Sequence, residues 1–261
     1  MYPEMGIKNE QVLVLGTLSI IIPVFNQQAN ISHSLMRIKQ VVERHFSKYE
    51  LVVVNDGSTD DTLTTLKDIV SSDQQEHIRI LSYTPNRGKG YAVRYGILHS
   101  HGDVVIFLDV DLDISPDLIK EYVEKLDSCD LVIASKRHPR SNVTLPASRL
   151  LMSRIFHLIV NVATGIRQTD TQAGLKVGKG EIMRTIFRNI NIKRYAFDVE
   201  LFMIASILDL RIQEMPVKMK IDRRFNAKEI VNMFIDVIRI CYKYRIAHRY
   251  QREYLKADYS I

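Results

Sequence analysis

Along the first half of the chain, short aliphatic and β-branched runs alternate with stretches in which apolar residues recur every three or four positions. Ser19 to Val24, Leu51 to Asn55, Ile78 to Ser82, Val104 to Leu108 and Leu131 to Ser135 have the length and composition of buried strands, and each is followed by a polar or glycine-bearing turn. Between the first two, Ile31, Leu35, Ile38 and Val42 mark one face of a helix. Ser58-Thr59-Asp60-Asp61 has the form of a capping box opening a second helix, and Ser115-Pro116 sets an N-cap and a first-turn proline ahead of a later one. This order predicts an α/β fold, a mostly parallel central sheet flanked by helices, with ligands gathering at the carboxyl ends of the strands.

The second half is less regular. Ser148 to Thr164 reads as a helix, Gly165 to Gly180 as a glycine-bearing loop, and Ala196 to Leu208 as another helix. From Lys228 to Tyr254, Ile230, Phe234, Val237, Ile238 and Cys241 are interleaved with Arg239, Lys243, Arg245, Arg249 and Arg252, the pattern of a basic amphipathic helix. Two placements suit it equally: on an anionic membrane surface, or packed on the domain or in a homo-oligomer interface. The expected division is a main α/β domain over residues 1–225 and a basic helical tail over 226–261.

With 261 residues, 46% of them hydrophobic, the chain can bury a substantial core, so disorder is not expected. The formal charge of +6 leans toward an anionic partner without choosing among nucleotide, lipid and nucleic-acid phosphates. No aromatic-interleaved basic stripe is present, so nucleic acid is not the expected partner. Cys129 and Cys241 match neither a disulfide framework nor a metal-ligand spacing, which suits a reducing, cytosolic setting. The apolar stretch Val12 to Phe25 is interrupted by Gly16, Thr17, Ser19 and Pro23 and falls short of the roughly 20 residues of a spanning helix. It reads as a strand, and the first residues lack the basic cluster of a signal peptide.

Three segments carry candidate chemistry. Phe107-Leu108-Asp109-Val110-Asp111-Leu112-Asp113 ends an apolar run in three alternating aspartates, which an extended chain would set on one side. Like charges so close call for a cation, and hard carboxylate oxygens suit Mg²⁺ or Mn²⁺ bridging to substrate phosphates. A solvated acidic turn with capping roles is the alternative. Val54-Asn55-Asp56-Gly57-Ser58 ends another run in an acid and a glycine turn, so Asp56 can either accept hydrogen bonds from a nucleoside or shape the turn. Asn86-Arg87-Gly88-Lys89-Gly90 combines close backbone approach with two cations that can meet phosphate, though it lacks phosphate-loop spacing and a plain basic turn fits as well.

Taken in order, Ser19-Ile20-Ile21-Ile22-Pro23-Val24-Phe25-Asn26, Asn55-Asp56-Gly57-Ser58, Asn86-Arg87-Gly88-Lys89-Gly90 and Asp109-Val110-Asp111 resemble glycosyltransferase family 2, from about Leu18 to about Lys228. Asp170-Thr171-Gln172-Ala173-Gly174-Leu175-Lys176 and Arg194-Tyr195-Ala196-Phe197-Asp198-Val199-Glu200-Leu201 resemble its dolichyl-phosphate glucosyltransferase branch.

The resemblance implies a nucleotide-sugar-binding GT-A type fold with a single sheet. It also implies inverting, metal-dependent transfer of a sugar, glucose favoured, from a nucleoside diphosphate sugar to a dolichyl or polyprenyl phosphate. UDP-glucose is the favoured donor, with GDP-mannose and UDP-N-acetylhexosamines as the alternatives; a soluble saccharide or cell-surface polymer is the alternative acceptor. On this footing Pro23, Val24 and Asp56 border the base and ribose, with Asn26-Gln27 where the family has Asn-Glu. Asp109, Asp111 and Asp113 hold Mg²⁺ or Mn²⁺, Asp111 and Asp170 are catalytic, Lys89 approaches the diphosphate or nucleotide, and Arg223 and Lys228 close over the diphosphate. Lys136, Arg149 and Ser153 hold the acceptor phosphate. A lipid phosphate is already anionic at neutral pH, so Asp170 is expected to position rather than deprotonate. The implied location is cytoplasmic, peripheral on the cytosolic face of a membrane, alone or with a membrane-protein partner.

Overall fold

The computed structural model describes residues 16–72, 77–144, 146–166, 168–192, 194, 196–220 and 235–242. Five strands lie where the apolar runs predict them: β1 (Leu18–Val24), β2 (Tyr49–Asp56), β3 (Ile78–Tyr83), β4 (Val104–Leu108) and β5 (Leu131–Ser135). Every residue of β1, β2, β4 and β5 is buried. That is why they read as continuous apolar runs rather than alternating ones: helices cover both faces of the sheet.

Up to residue 207 the described α-helices are α1 (Ile31–His45), α2 (Thr62–Ser72), α3 (Lys89–Leu98), α4 (Ile119–Glu124), α5 (Ala147–Thr164), α6 (Gly180–Asn189) and α7 (Phe197–Ile207). Ser115 caps a short 3₁₀ turn at Pro116–Leu118 by accepting from the Asp117 amide at 3.3 Å. One core cluster joins β1, β2 and β4 to α1 and α4 through Ile20, Ile22, Leu35, Ile38, Ile106 and Tyr122. A second, on the opposite face, joins Ile21, Val54 and Phe107 to Val93, Ile186, Phe197 and Phe202.

The loop expected from Gly165 to Gly180 contains a strand, β7 (Leu175–Lys179); β6 (Asn142–Thr144), β8 (Ile212–Pro216) and β9 (Lys218–Lys220) are the other strands among the described residues. Two lysines and a glycine in Leu-Lys-Val-Gly-Lys conceal β7, yet Lys176 is buried. The main sheet runs β3-β2-β1-β4-β7-β5-β8, with β7 antiparallel to β4 and β5 and the other pairings parallel. A separate pair, β6 with β9, replaces the expected single sheet.

This order positions the site. The sequence order of strands turns at β1 and β4, and pairing between them stops at Ile21 with Phe107, two residues before Pro23. Proline cannot donate to a ladder, which suits the end of pairing there, and the carboxyl ends of such strands are where these folds bind ligands.

Residues 235–242 are helical, with Val237 and Ile240 in the second core cluster and Asp236 paired to Arg239 at 3.3 Å. Arg223, Lys228, Lys243, Arg245, Arg249 and Arg252 lie outside the described residues, as does the expected boundary between 225 and 226. Among the described residues, no helix is long and apolar enough to cross a membrane.

Candidate active site

Asp109 is the first residue past β4, and the chain does not stay extended beyond it. The Leu112 amide turns back to the Asp109 carbonyl at 3.4 Å, and Leu112 adopts φ 55°. The three aspartates therefore line a turn, not one side of a strand, and the Asp113 amide donates to Asp111 Oδ1 at 3.3 Å. The Asp109 carboxylate faces a cation, with Lys89 Nζ 2.7 Å from Oδ1 and 2.8 Å from Oδ2. Gly174 makes room for it: a Cβ there would stand 2.0 Å from Asp109 Oδ2, and the Gly174 carbonyl accepts from the Asp109 amide at 3.1 Å.

Among the described residues, no three His, Cys, Asp or Glu groups converge as a ready-made metal cage. The donor chemistry still fits Mg²⁺ or Mn²⁺, because such ions are commonly held by one or two carboxylates together with substrate phosphates. Asp109 already holds a positive charge at this point, which is the electrostatic requirement of that site. Asp111 stands two residues further along the same turn, only partly buried.

Lys89 opens α3 and is delivered by a loop that Asp56 fixes. The Asp56 carboxylate accepts from the amides of Arg87 at 2.7 Å and Gly88 at 2.9 Å and from Asn86 Nδ2 at 3.0 Å. Asp56 is 2% exposed, and its carboxylate shapes this loop, one of the two roles the sequence offered it. Gly57, at φ 64°, lies so close to the same loop that a Cβ would meet the Asn86 amide nitrogen at 2.6 Å. Burial pushes the Tyr83 phenol above its ordinary value, and the neighbouring Asp56 carboxylate adds to the shift. Pro23 and Val24 are both buried in β1. Asn26 and Gln27 are tied to the β2–α2 loop, with Asn26 Oδ1 accepting from the Thr59 amide at 2.8 Å and the Gln27 amide donating to Thr62 Oγ1 at 2.8 Å.

A second pole lies past β5. Asp170 Oδ2 accepts from the Lys136 amide at 2.8 Å and lies 3.1 Å from Lys136 Nζ, while Oδ1 accepts from the Gln172 amide at 3.0 Å. Burial alone would raise this carboxyl, but the Lys136 charge and the two amides hold it below its usual value. Sequence reasoning missed Arg137, whose Nη2 donates to the Ser153 carbonyl at 2.8 Å and reaches Ser153 Oγ at 3.4 Å. It was legible only as one more cation beside Lys136. Ser153, His157 and Asn161 recur every fourth residue on α5, and His157 and Asn161 are linked by a 3.1 Å contact. The buried His157 Nδ1 and Asn161 Oδ1 have no partner among the described residues. Burial, then the Arg137 charge, lowers the His157 pKa. The side chain of Arg149 lies outside the described residues.

The same helix exposes Ile155, Leu158, Ile159 and Val162 at i, i+3, i+4 and i+7, while Phe156 and Val160 are buried in the core. Leu158 is 63% and Val162 74% exposed, which leaves an apolar stripe facing away from the domain.

Residues 19–190 match the family described as Glycosyl transferase family 2. A Dictyostelium discoideum protein named dolichyl-phosphate beta-glucosyltransferase is 30% identical over 249 residues, covering 87% of this chain and 74% of that protein. A Trichomonas vaginalis protein with the same enzyme name is 29% identical over 244 residues, covering 87% of this chain and 71% of its own length. Among solved structures, glucosyl-3-phosphoglycerate synthase from Mycobacterium tuberculosis, crystallised with Mn²⁺, uridine diphosphate and glucosyl-3-phosphoglycerate, matches with a TM-score of 0.65. It is 21% identical, and the match covers 87% of this chain and 79% of that one, a likeness of fold. The same synthase was also crystallised with Mg²⁺ and uridine diphosphate.

Proposed function

The chain belongs to glycosyltransferase family 2, with a GT-A-like fold, and on that premise we propose that it transfers glucose from UDP-glucose to dolichyl phosphate. The likeness to dolichyl-phosphate beta-glucosyltransferases at about 30% identity over 87% of the chain supports glucosyl transfer to dolichyl phosphate, and the synthase of like fold, crystallised also with uridine-diphosphate-glucose, supports the donor. The structural observation that carries the reading is the presence of two charged poles past the ends of β4 and β5, on either side of β7: Asp109 with Lys89, and Asp170 with Lys136 and Arg137. The 170–174 turn connects them.

In the proposed reaction an oxygen of the acceptor phosphate forms a bond to the anomeric carbon as the bond from that carbon to the diphosphate oxygen breaks. The electron pair leaves with UDP, and the configuration inverts. Asp109 and Asp111 would hold Mg²⁺ or Mn²⁺, which supplies positive charge to the departing diphosphate. Lys89 is 2.7 Å from Asp109 and adds charge beside it. Lys136 and Arg137 attract the acceptor phosphate, with Ser153 ordering Arg137 through its carbonyl. Asp170 orients Lys136; the acceptor needs no base because its phosphate is anionic at neutral pH. Catalysis then comes from alignment and leaving-group stabilisation.

The lipid tail of the acceptor requires a membrane surface, and the exposed apolar stripe of α5 supports a peripheral placement beside the phosphate pole. Incubating the purified chain and UDP-glucose with dolichyl phosphate and, separately, with soluble saccharides tests the acceptor. Glucose should appear in the lipid product; efficient transfer to a soluble sugar and none to lipid phosphate would reject it.

A further inference from the structure

Beneath both poles lies an ion pair with no direct part in the reaction described above. Lys176, on β7, and Asp198, in the first turn of α7, are 2% and 5% exposed, with Lys176 Nζ 2.9 Å from Asp198 Oδ1. The ammonium is lodged against the rings of Phe107 and Phe202, 5.0 and 5.9 Å from their centroids. Burial works against both charges, and each partner opposes that effect on the other. A pair of apolar residues would join β7 to α7 at no such electrostatic cost, so stability alone is a poor reason for two buried charges.

The pair's other contacts point to the site. Lys176 Nζ donates to the Ala173 carbonyl at 2.8 Å. The next residue, Gly174, accepts from the Asp109 amide and lies against its carboxylate. At the far end of the same turn, Asp170 is held by Lys136. The charges of Lys89 and Asp109 act on Asp198, and those of Lys89 and Asp170 act on Lys176, so the pair is electrically within the site.

We propose that Lys176 and Asp198 are positioning residues that clamp the 170–174 turn through the Ala173 carbonyl and thereby fix Asp109 and Asp170 relative to each other. Neither touches a reacting atom. The inference rests on the transferase reading, because it gives the turn a donor side and an acceptor side to align.

The test compares Lys176→Met, Asp198→Asn and the double variant by thermal unfolding, by calorimetric titration with UDP and Mn²⁺, and by glucose transfer. Each single variant leaves a buried charge unpaired and should unfold at lower temperature, and the double variant should regain most of that loss. At this regained stability, UDP affinity and kcat should both stay down by about ten-fold or more, since misplacing a site group by roughly 1 Å is enough to do so. Recovery of UDP affinity and kcat together with unfolding temperature would reduce the pair to a structural one and overturn the proposal. Asp198→Glu, which keeps both charges but moves the carboxylate by one methylene, decides the matter if the double variant does not fold: lowered UDP affinity supports positioning, parental affinity and kcat overturn it. A parent that binds UDP but glucosylates no lipid phosphate would sink the acceptor assignment, while the UDP titrations would still judge the clamp.

Discussion

Replacing Gly174 by alanine adds one methyl group at the point where β7 meets the Asp109 carboxylate. The backbone permits it, because Gly174 is not among the residues at positive φ. The space does not: the new Cβ would lie 2.0 Å from Asp109 Oδ2, 2.7 Å from its Cγ and 3.2 Å from its Cβ. Ordinary contact begins at 3.4 Å, so Oδ2 must retreat by about 1.4 Å or the turn must move by a comparable amount. Retreat disturbs the 2.7 Å pairing with Lys89, and movement of the turn disturbs the 3.1 Å bond from the Asp109 amide to the Gly174 carbonyl. Overpacking of this kind costs about 1–3 kcal/mol. For a chain of this size that lowers the unfolding midpoint by roughly 2–12 °C. Function should suffer more, since a group misplaced by about 1 Å costs on the order of 100-fold in rate. Thermal unfolding read beside glucose transfer under saturating donor and acceptor measures both. A Gly174→Ala enzyme within about threefold of parental kcat would show that Asp109 need not occupy this position, and would refute the reasoning.

Three further outcomes follow from the same geometry. Lys136→Met removes the largest charge opposing burial at Asp170, so that carboxyl should rise; the parental pair is fully stabilising above about pH 4 and is lost as pH falls through the lowered folded value. The acid limb of the unfolding profile should therefore move to higher pH in the variant, and an unmoved limb would mean that Lys136 does not set the ionisation of Asp170. Arg137→Gln should raise KM for dolichyl phosphate by roughly 10- to 100-fold through loss of a charge-assisted contact, with calorimetric UDP affinity unchanged; an unchanged KM would remove Arg137 from the acceptor site. Leu158→Asp with Val162→Asp should reduce flotation with anionic liposomes by about ten-fold or more while leaving the unfolding midpoint nearly in place, because both side chains are exposed; parental flotation would discard the α5 stripe as a membrane contact.

The legible parts of this chain were those in which local composition and final environment agree. Ile20, Ile21 and Ile22 are aliphatic and wholly buried in a strand paired on both sides, so the apolar run predicted β1 to within a residue. β7 was hidden because Lys176 reads as a surface residue, and its burial depends on Asp198 and Phe202, which come 22 and 26 positions later. The Asp109 to Asp113 motif was visible, but the left-handed residue at Leu112, which nothing in a leucine foretells, turns the chain away from strand geometry. Asp56 stood out as an acid at a strand end. Its engagement by the amides of Arg87 and Gly88, more than 30 positions away, required the folded loop to be seen. Arg137 was obscured for a related reason: a cation in a basic turn acquires a role only when α5 brings Ser153 and His157 beside it.

The central claim is tested most directly by transfer of radiolabelled glucose from UDP-glucose to dolichyl phosphate, with Mn²⁺ or Mg²⁺ and after chelation, using the parent chain and Asp111→Asn. The account predicts label extractable into chloroform that depends on added metal and is lost in the variant. Lipid-linked glucose formed equally well by Asp111→Asn, or in the presence of chelator, would contradict it.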